Sequence, residues 1–282
     1  MSFRYTAIFA TVAITATSLT GVADARASVV DTSPPGANDW SCEPTAEDPT
    51  PVVLVPGTFE TMRKNWSTLS PVLAGQGRCV FALDYGTTNG IPASGPVSDS
   101  AAELAVFVDE VLRATGAQQV DLVGHSQGGM MPRYYLGFLG GAPKVNHLVG
   151  IAPSNHGTAG VIAPSPEEFA LGTGNAGFFC QACADQEAGS AFLTKLNSIG
   201  DTVEGPSYTV ISTKYDEVVT PYESQFLDGP EGQVTNITIQ DKCPLDFVEH
   251  DQAPNDPVVH QLVSDALRQA GPADPRYQPE CL

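Results

Sequence analysis

The stretch Val120-Asp121-Leu122-Val123-Gly124-His125-Ser126-Gln127-Gly128-Gly129-Met130-Met131-Pro132-Arg133-Tyr134-Tyr135 decides the fold. Its opening residues, with Gln119 before them, form an apolar run of strand length, and the residues from Gln127 onward read as a helix. Between them lies Gly-x-Ser-x-Gly. On its own that pattern is weak, because small residues recur by chance. Its place between a strand and a helix gives it weight. A chain that turns sharply from strand to helix forces the middle residue into a strained backbone, and flanking glycines let the two elements approach. Ser126 is then thrust out at the carboxyl end of the sheet. Its hydroxyl sits at a helix N-terminus, where the positive end of the dipole favours developing negative charge. The bland alternative is an N-cap serine with glycines nearby. His125 is expected to pack beside the turn and point away. Pro132 removes an N–H that should bond near Gly128, so a kink is expected. A broken local rule beside a reactive serine is the kind of conflict found at functional sites.

Outward from this stretch, short apolar runs alternate with helical patterns. Strands are expected over 51–55, 79–83, 119–123, 145–151, 208–212 and 234–239. Trp66, Leu69, Val72 and Leu73 follow helical spacing. Leu104, Phe107, Val108, Val111 and Leu112 mark one face of a helix over 101–112. A closing helix is expected over 256–270, with Asp256 as N-cap and Pro257 at its first position. Strands apolar throughout, alternating with helices, predict an α/β fold with a mostly parallel central sheet and helices on both faces. Between Pro153 and Pro206 the pattern breaks into Gly-, Pro- and Ala-rich chain. An insertion this long is a cap or lid, or else an ordinary surface excursion. Val161, Ile162, Phe169, Leu171, Phe178 and Phe179 within it would line an acyl pocket or form a small core of their own.

The 282 residues, 42% of them hydrophobic, suffice for one sizeable core. Residues 1–27 have the layout of a secretory signal peptide: Arg4, an apolar stretch over 5–22, then small residues up to Ala27. A membrane anchor is the alternative, disfavoured by the short, Ala- and Thr-rich stretch. No later segment is long and apolar enough to span a bilayer. Residues 28–50 read as an irregular lead-in. The six cysteines (Cys42, Cys79, Cys180, Cys183, Cys243 and Cys281) suggest up to three disulfides in an exported chain. Cys180-Gln181-Ala182-Cys183 is alternatively a redox or zinc pair, but there is no second Cys-x-x-Cys, and a small structural loop fits better. The formal net charge of −19 argues against nucleic acid and anionic membranes as partners. No metal-ligand spacing stands out, no cofactor is expected, and the protein reads as a monomer.

A serine hydroxyl is a poor nucleophile without a base. His147 lies early in a central strand, at the bottom of the sheet. His156 follows that strand but precedes any plausible acid. His260 lies inside the closing helix. His250 sits between the last strand and the last helix, where the order nucleophile, acid, histidine puts the base. The acid should follow the strand over 208–212, where Asp216 and Glu217 both qualify; Asp216 is preferred and Glu217 is its rival. An oxyanion hole needs preorganised N–H donors. One belongs to Gln127, after the nucleophile. The other is expected at Thr58, in the loop Val55-Pro56-Gly57-Thr58-Phe59, whose hydroxyl offers a third donor.

Together these residues resemble the secreted bacterial triacylglycerol lipases of the actinomycete type, within the α/β-hydrolase superfamily. The likeness runs through residues 53–58, 123–135 and 151–158 (Ile-Ala-Pro-Ser-Asn-His-Gly-Thr) and covers about Pro51 to Leu267. More distantly the chain is similar to the yeast lipase B group, through Leu54-Val55-Pro56-Gly57-Thr58, Ser126-Gln127-Gly128-Gly129, Asp216-Glu217 and Cys243-Pro244-Leu245. The resemblance implies an α/β-hydrolase catalytic domain over 51–282, with Ser126, Asp216 and His250 as triad and Thr58 and Gln127 at the oxyanion hole. It also implies bridges Cys42–Cys79 and Cys243–Cys281, leaving Cys180–Cys183. The function it implies is hydrolysis of lipid esters by an exported enzyme, with a lipid–water interface as a possible place of work. Short-chain esterases and polyester hydrolases share this machinery, and an inactive cell-envelope binding protein on the same scaffold is the competing class.

Overall fold

A computed structural model describes residues 33–159 and 180–281. The expected leader over 1–27 and the six apolar residues named between 161 and 179 lie outside them. The strands form where the apolar runs predict them. They are β1 (Val52–Val55), β2 (Val80–Ala82), β3 (Val120–His125), β4 (Val145–Ile151), β5 (Ser207–Ser212) and β6 (Val234–Thr238). All neighbours pair in parallel, in the order β2-β1-β3-β4-β5-β6. The described helices are α1 (Met62–Asn65), α2 (Leu69–Gly75), α3 (Val97–Thr115), α4 (Gln127–Phe138), α5 (Gln181–Asp185), α6 (Ala191–Asn197), α7 (Ile239–Lys242) and α8 (Pro257–Ala266). Among the described residues no helix is long and apolar enough to cross a membrane.

Alternation along each strand explains why the strands are apolar throughout. Val53 and Val55 join a core with Phe81, Leu122 and Leu148, packed against Leu104 and Val108 of α3 and Met130 of α4. Val52 and Leu54 face the other way, into a core with Val149 and Ile211 that Leu73 of α2 and Leu262 of α8 cover. Successive side chains of a strand point to opposite faces, and here both faces are roofed by helices. The differences from expectation are at element ends. Helix α3 runs longer and stops at Gly116, whose φ of 70° supplies a left-handed cap. Helix α8 begins as expected, the Asp256 carboxylate accepting from Val258 N and Val259 N, but ends at Ala266. The chain leaves β6 one residue early, and Ile239 opens α7.

Residues 33–50 contain no helix or strand, yet they are fastened down. Asn38 behaves like a strand residue along the open side of β2. Its side chain donates to Ala82 O at 2.9 Å and accepts from Ala82 N at 2.8 Å. Such pairing blunts an exposed sheet edge. The disulfide Cys42–Cys79 closes the same region.

Strand order positions the site. From β1 the chain moves outward to β2, then returns to the other side of β1 as β3. The connections of β1 and β3 therefore diverge at their carboxyl ends, a topological switch point of the kind where ligands of open α/β sheets bind. Gly57-Thr58 after β1 and Ser126 after β3 lie at that end of the sheet.

Candidate active site

Ser126 has φ 53° and ψ −121°, a backbone region that non-glycine residues seldom occupy. The glycines make this turn possible. A Cβ on Gly124 would run into the Gly128 carbonyl, and a Cβ on Gly128 into the carbonyls of Val55 and Pro56. The turn is thus wedged against the β1 loop. Ser126 N donates to Ile151 O at 2.9 Å, tying the turn to the end of β4. Pro132 lies inside α4, which continues past it to Phe138. The helix is not broken there.

Asp216 and His250 meet in the interior, with Nδ1 of His250 2.8 Å from Oδ2 of Asp216. The carboxylate is fixed on every side. Oδ1 accepts from Val218 N at 2.9 Å and Val219 N at 2.7 Å, and Oδ2 also accepts from Gln225 Nε2 at 2.8 Å. Glu217, one residue on, is exposed. Thr213 links the acid loop to the histidine loop by donating from Oγ1 to Val248 O at 2.6 Å. Disulfide Cys243–Cys281 anchors the chain leading to His250. Among the described residues, Ser126 Oγ and His250 Nε2 make no hydrogen bond, to each other or elsewhere. Such bonds are commonly long in the absence of substrate.

The remaining histidines are held elsewhere. His147 pairs with Asp121 at 2.8 Å near the amino ends of β3 and β4. His156 pairs with Asp201 at 3.0 Å, and that bond raises its pKa. His260 is buried in α8, 2.8 Å from Pro254 O, and burial lowers its pKa. His125 does pack beside the turn, but its ring is not remote from the site. It lies 4.9 Å from the His250 ring, with Nε2 3.1 Å from His250 O. Burial, reinforced by the nearby His250, holds its pKa well below 6.5.

Thr58 and Gln127 lie side by side. Thr58 Oγ1 donates to Gln127 Oε1 at 2.8 Å. Among the described residues the N–H groups of Thr58 and Gln127 donate to nothing. The Thr58 hydroxyl proton is already committed to Gln127, so the third donor expected from the sequence is engaged. Two further residues support the pair. Tyr85 donates from its hydroxyl to Pro56 O at 2.7 Å. Gln186, fully buried after α5, donates from Nε2 to Thr58 Oγ1 at 2.9 Å and lies 3.1 Å from Gln127 Oε1, while its Oε1 accepts from Ser154 Oγ at 2.8 Å. Disulfide Cys180–Cys183 closes the first turn of α5. Both sulfurs are thereby engaged, which sets aside a zinc pair there. The described part of the insertion is thus stitched to the site. Gln186 and Tyr85 were missed by sequence reasoning, since neither belongs to a local pattern. Among the described residues no group of three or more His, Cys, Asp or Glu side chains converges as a metal site would.

A parallel sheet with a strained serine between strand and helix, followed in chain order by an acid and a histidine, defines an α/β-hydrolase. The chain belongs to the class 2 lipase family, whose model matches residues 49–263. Over 89 residues it is 33% identical to a triacylglycerol lipase of Pseudarthrobacter phenanthrenivorans, covering 30% of this chain and 27% of that protein. An equal identity links it to a triacylglycerol lipase of Burkholderia plantarii, over 24% of that protein. The matched stretch thus spans about a quarter of these curated relatives. In fold the chain resembles Aspergillus fumigatus lipase B (TM-score 0.65, 21% identity, 83% of this chain and 56% of that one). It also resembles a mature Bacillus licheniformis lipase (TM-score 0.57, 16% identity, 80% of this chain and 94% of that one).

Proposed function

We propose that this protein is a serine hydrolase that cleaves carboxylic esters of lipids through an acyl-enzyme on Ser126. The observation that carries the reading is the buried Asp216–His250 pair, held at the same sheet end as a strained serine and two uncommitted N–H groups. Ser126 Oγ attacks the ester carbonyl carbon, and its proton passes to His250 Nε2. Asp216 keeps the His250 proton on Nδ1 and stabilises the imidazolium. The N–H groups of Thr58 and Gln127 receive the negative charge that forms on the carbonyl oxygen. His250 returns its proton to the leaving alkoxide as the ester bond breaks. Water then adds to the acyl-enzyme by the same route and releases the acid. Family membership and the named relatives support a triacylglycerol as substrate. The three disulfides support an exported enzyme, since such bonds persist in oxidising surroundings.

The test is fluorophosphonate labelling, with hydrolysis of tributyrin and emulsified triolein, on the wild type and Ser126→Ala. The label is expected on Ser126. The variant is expected to stay folded and lose all turnover. Retained turnover, or label elsewhere, rejects the mechanism. Tributyrin hydrolysis without triolein hydrolysis would make the enzyme a short-chain esterase.

A further inference from the structure

We propose that Asn65 and His125 form a positioning relay that fixes the spacing between the loop after β1 and the backbone of His250. Its catalytic consequence rests on the function proposed above. The links are short and buried. Gly57 N donates to Asn65 Oδ1 at 2.7 Å. Asn65 Nδ2 lies 3.3 Å from His125 Nδ1. His125 Nε2 lies 3.1 Å from His250 O. Asn65 is 4% exposed and His125 2% exposed, so water does not compete for these bonds.

The polarity of the chain is determined from one end. Gly57 N–H is only a donor, so the Asn65 atom facing it is the carbonyl oxygen. That turns the Asn65 NH2 toward His125. An NH2 group is also only a donor, so His125 Nδ1 must be the bare, accepting nitrogen. The single ring proton therefore sits on Nε2 and is donated to the His250 carbonyl. A second proton would set Nδ1–H against the Asn65 NH2, with no carboxylate to compensate it. The depressed pKa of His125 agrees with a ring kept neutral.

Geometry adds a second role for the same ring. A Cβ built on Gly57 would lie 2.9 Å from His125 Nδ1 and 3.3 Å from Ser126 Cβ. The ring thus fills the space between donor loop, serine turn and His250. Of two rings 4.9 Å apart, only His250 has a carboxylate partner, so the proton taken from Ser126 stays on His250. Asn65 and His125 touch no reacting atom. They act by holding the donor N–H and the base at one separation, and a displacement of about 1 Å at such a site costs on the order of a hundredfold in rate.

The primary test is long-range 1H–15N correlation of the histidine rings in the wild-type protein. His125 is expected as the Nε2–H tautomer with a bare Nδ1 at neutral pH. A proton on Nδ1 overturns the relay. The second test is steady-state hydrolysis of 4-nitrophenyl butyrate by Asn65→Ala, His125→Phe and the double variant. Each single change is expected to lower kcat roughly ten- to hundredfold with KM within about twofold. The double variant should be no worse than the weaker single. Multiplying losses, or an unchanged kcat in folded Asn65→Ala, overturn it too. If the variants do not fold, the wild-type tautomer decides. If the wild type neither turns over the ester nor takes a fluorophosphonate, the hydrolase reading fails, while the tautomer still judges the relay.

Discussion

Replacing Asp216 by Asn separates the electrostatic work of this carboxylate from its structural work. In the native site Oδ1 accepts from two backbone N–H groups, of Val218 and Val219. Those donors require an acceptor, so the Asn carbonyl takes that position and the NH2 replaces Oδ2. The NH2 then faces His250 Nδ1 and Gln225. Gln225 accommodates it by turning its amide, because its buried Oε1 has no hydrogen-bond partner among the described residues. His250 has no such freedom. Opposite a donor, Nδ1 must be bare, so the ring proton moves to Nε2, where, in the proposed mechanism, it blocks acceptance of the Ser126 proton. The expected loss in kcat is on the order of 10⁴-fold, the size associated with the wrong tautomer in a triad. That equals about 5.4 kcal/mol of transition-state stabilisation. The expected loss of stability is smaller, about 1–3 kcal/mol, since one charge-assisted bond to Gln225 is replaced by a neutral one. The assay is hydrolysis of 4-nitrophenyl butyrate with urea unfolding of the same preparation, and exposed Glu217→Gln as control, expected within about twofold of wild type. An Asp216→Asn enzyme within tenfold of wild type, or a crippled Glu217→Gln enzyme, refutes the reasoning.

Three further outcomes follow from the geometry. Gln186→Ala removes the bridge between Thr58, Gln127 and Ser154; kcat should fall about tenfold and stability by about 1–3 kcal/mol, read by steady-state kinetics and urea melts. Gly124→Ala forces a methyl into the Gly128 carbonyl, and the protein should lose about 3 kcal/mol or more, seen as a lowered urea midpoint or loss of the folded fraction. On pH, burial lowers the His125 and His260 pKa values from 6.5, so acidification protonates the unfolded chain first and these sites lower stability as pH falls below 6.5. His156 works oppositely. Its bond to Asp201 raises its pKa, so its contribution is full below 6.5 and is lost as pH rises through the folded value. Burial pushes the Asp201 carboxyl up, but the bonds from His156 and Asp228 N outweigh this and carry it below 3.8, so its share is lost as pH falls through the folded value. His156→Gln should flatten the stability–pH curve just above 6.5, and an unchanged curve in urea melts rejects the pairing.

Much of this protein was legible in the sequence because it depends on local pattern. Apolar runs such as 52–55 and 145–151 form strands since both sheet faces are covered, and this needs no knowledge of partners. The serine turn was legible because a strand-to-helix reversal demands glycines at fixed offsets. Chain order then favoured His250 over His260, which the fold buries against Pro254. What the tertiary structure decided is where adjacent or distant residues point. Asp216 and Glu217 are neighbours of like chemistry, and only the turn that aims the Val218 and Val219 N–H groups inward turns Asp216 to His250 and leaves Glu217 in solvent. Asn65 meets His125 across 60 residues, and Gln186 meets Thr58 across 128. A hydrogen bond over such separations exists only once strand order has set β1 beside β3, and no periodicity in the chain encodes it.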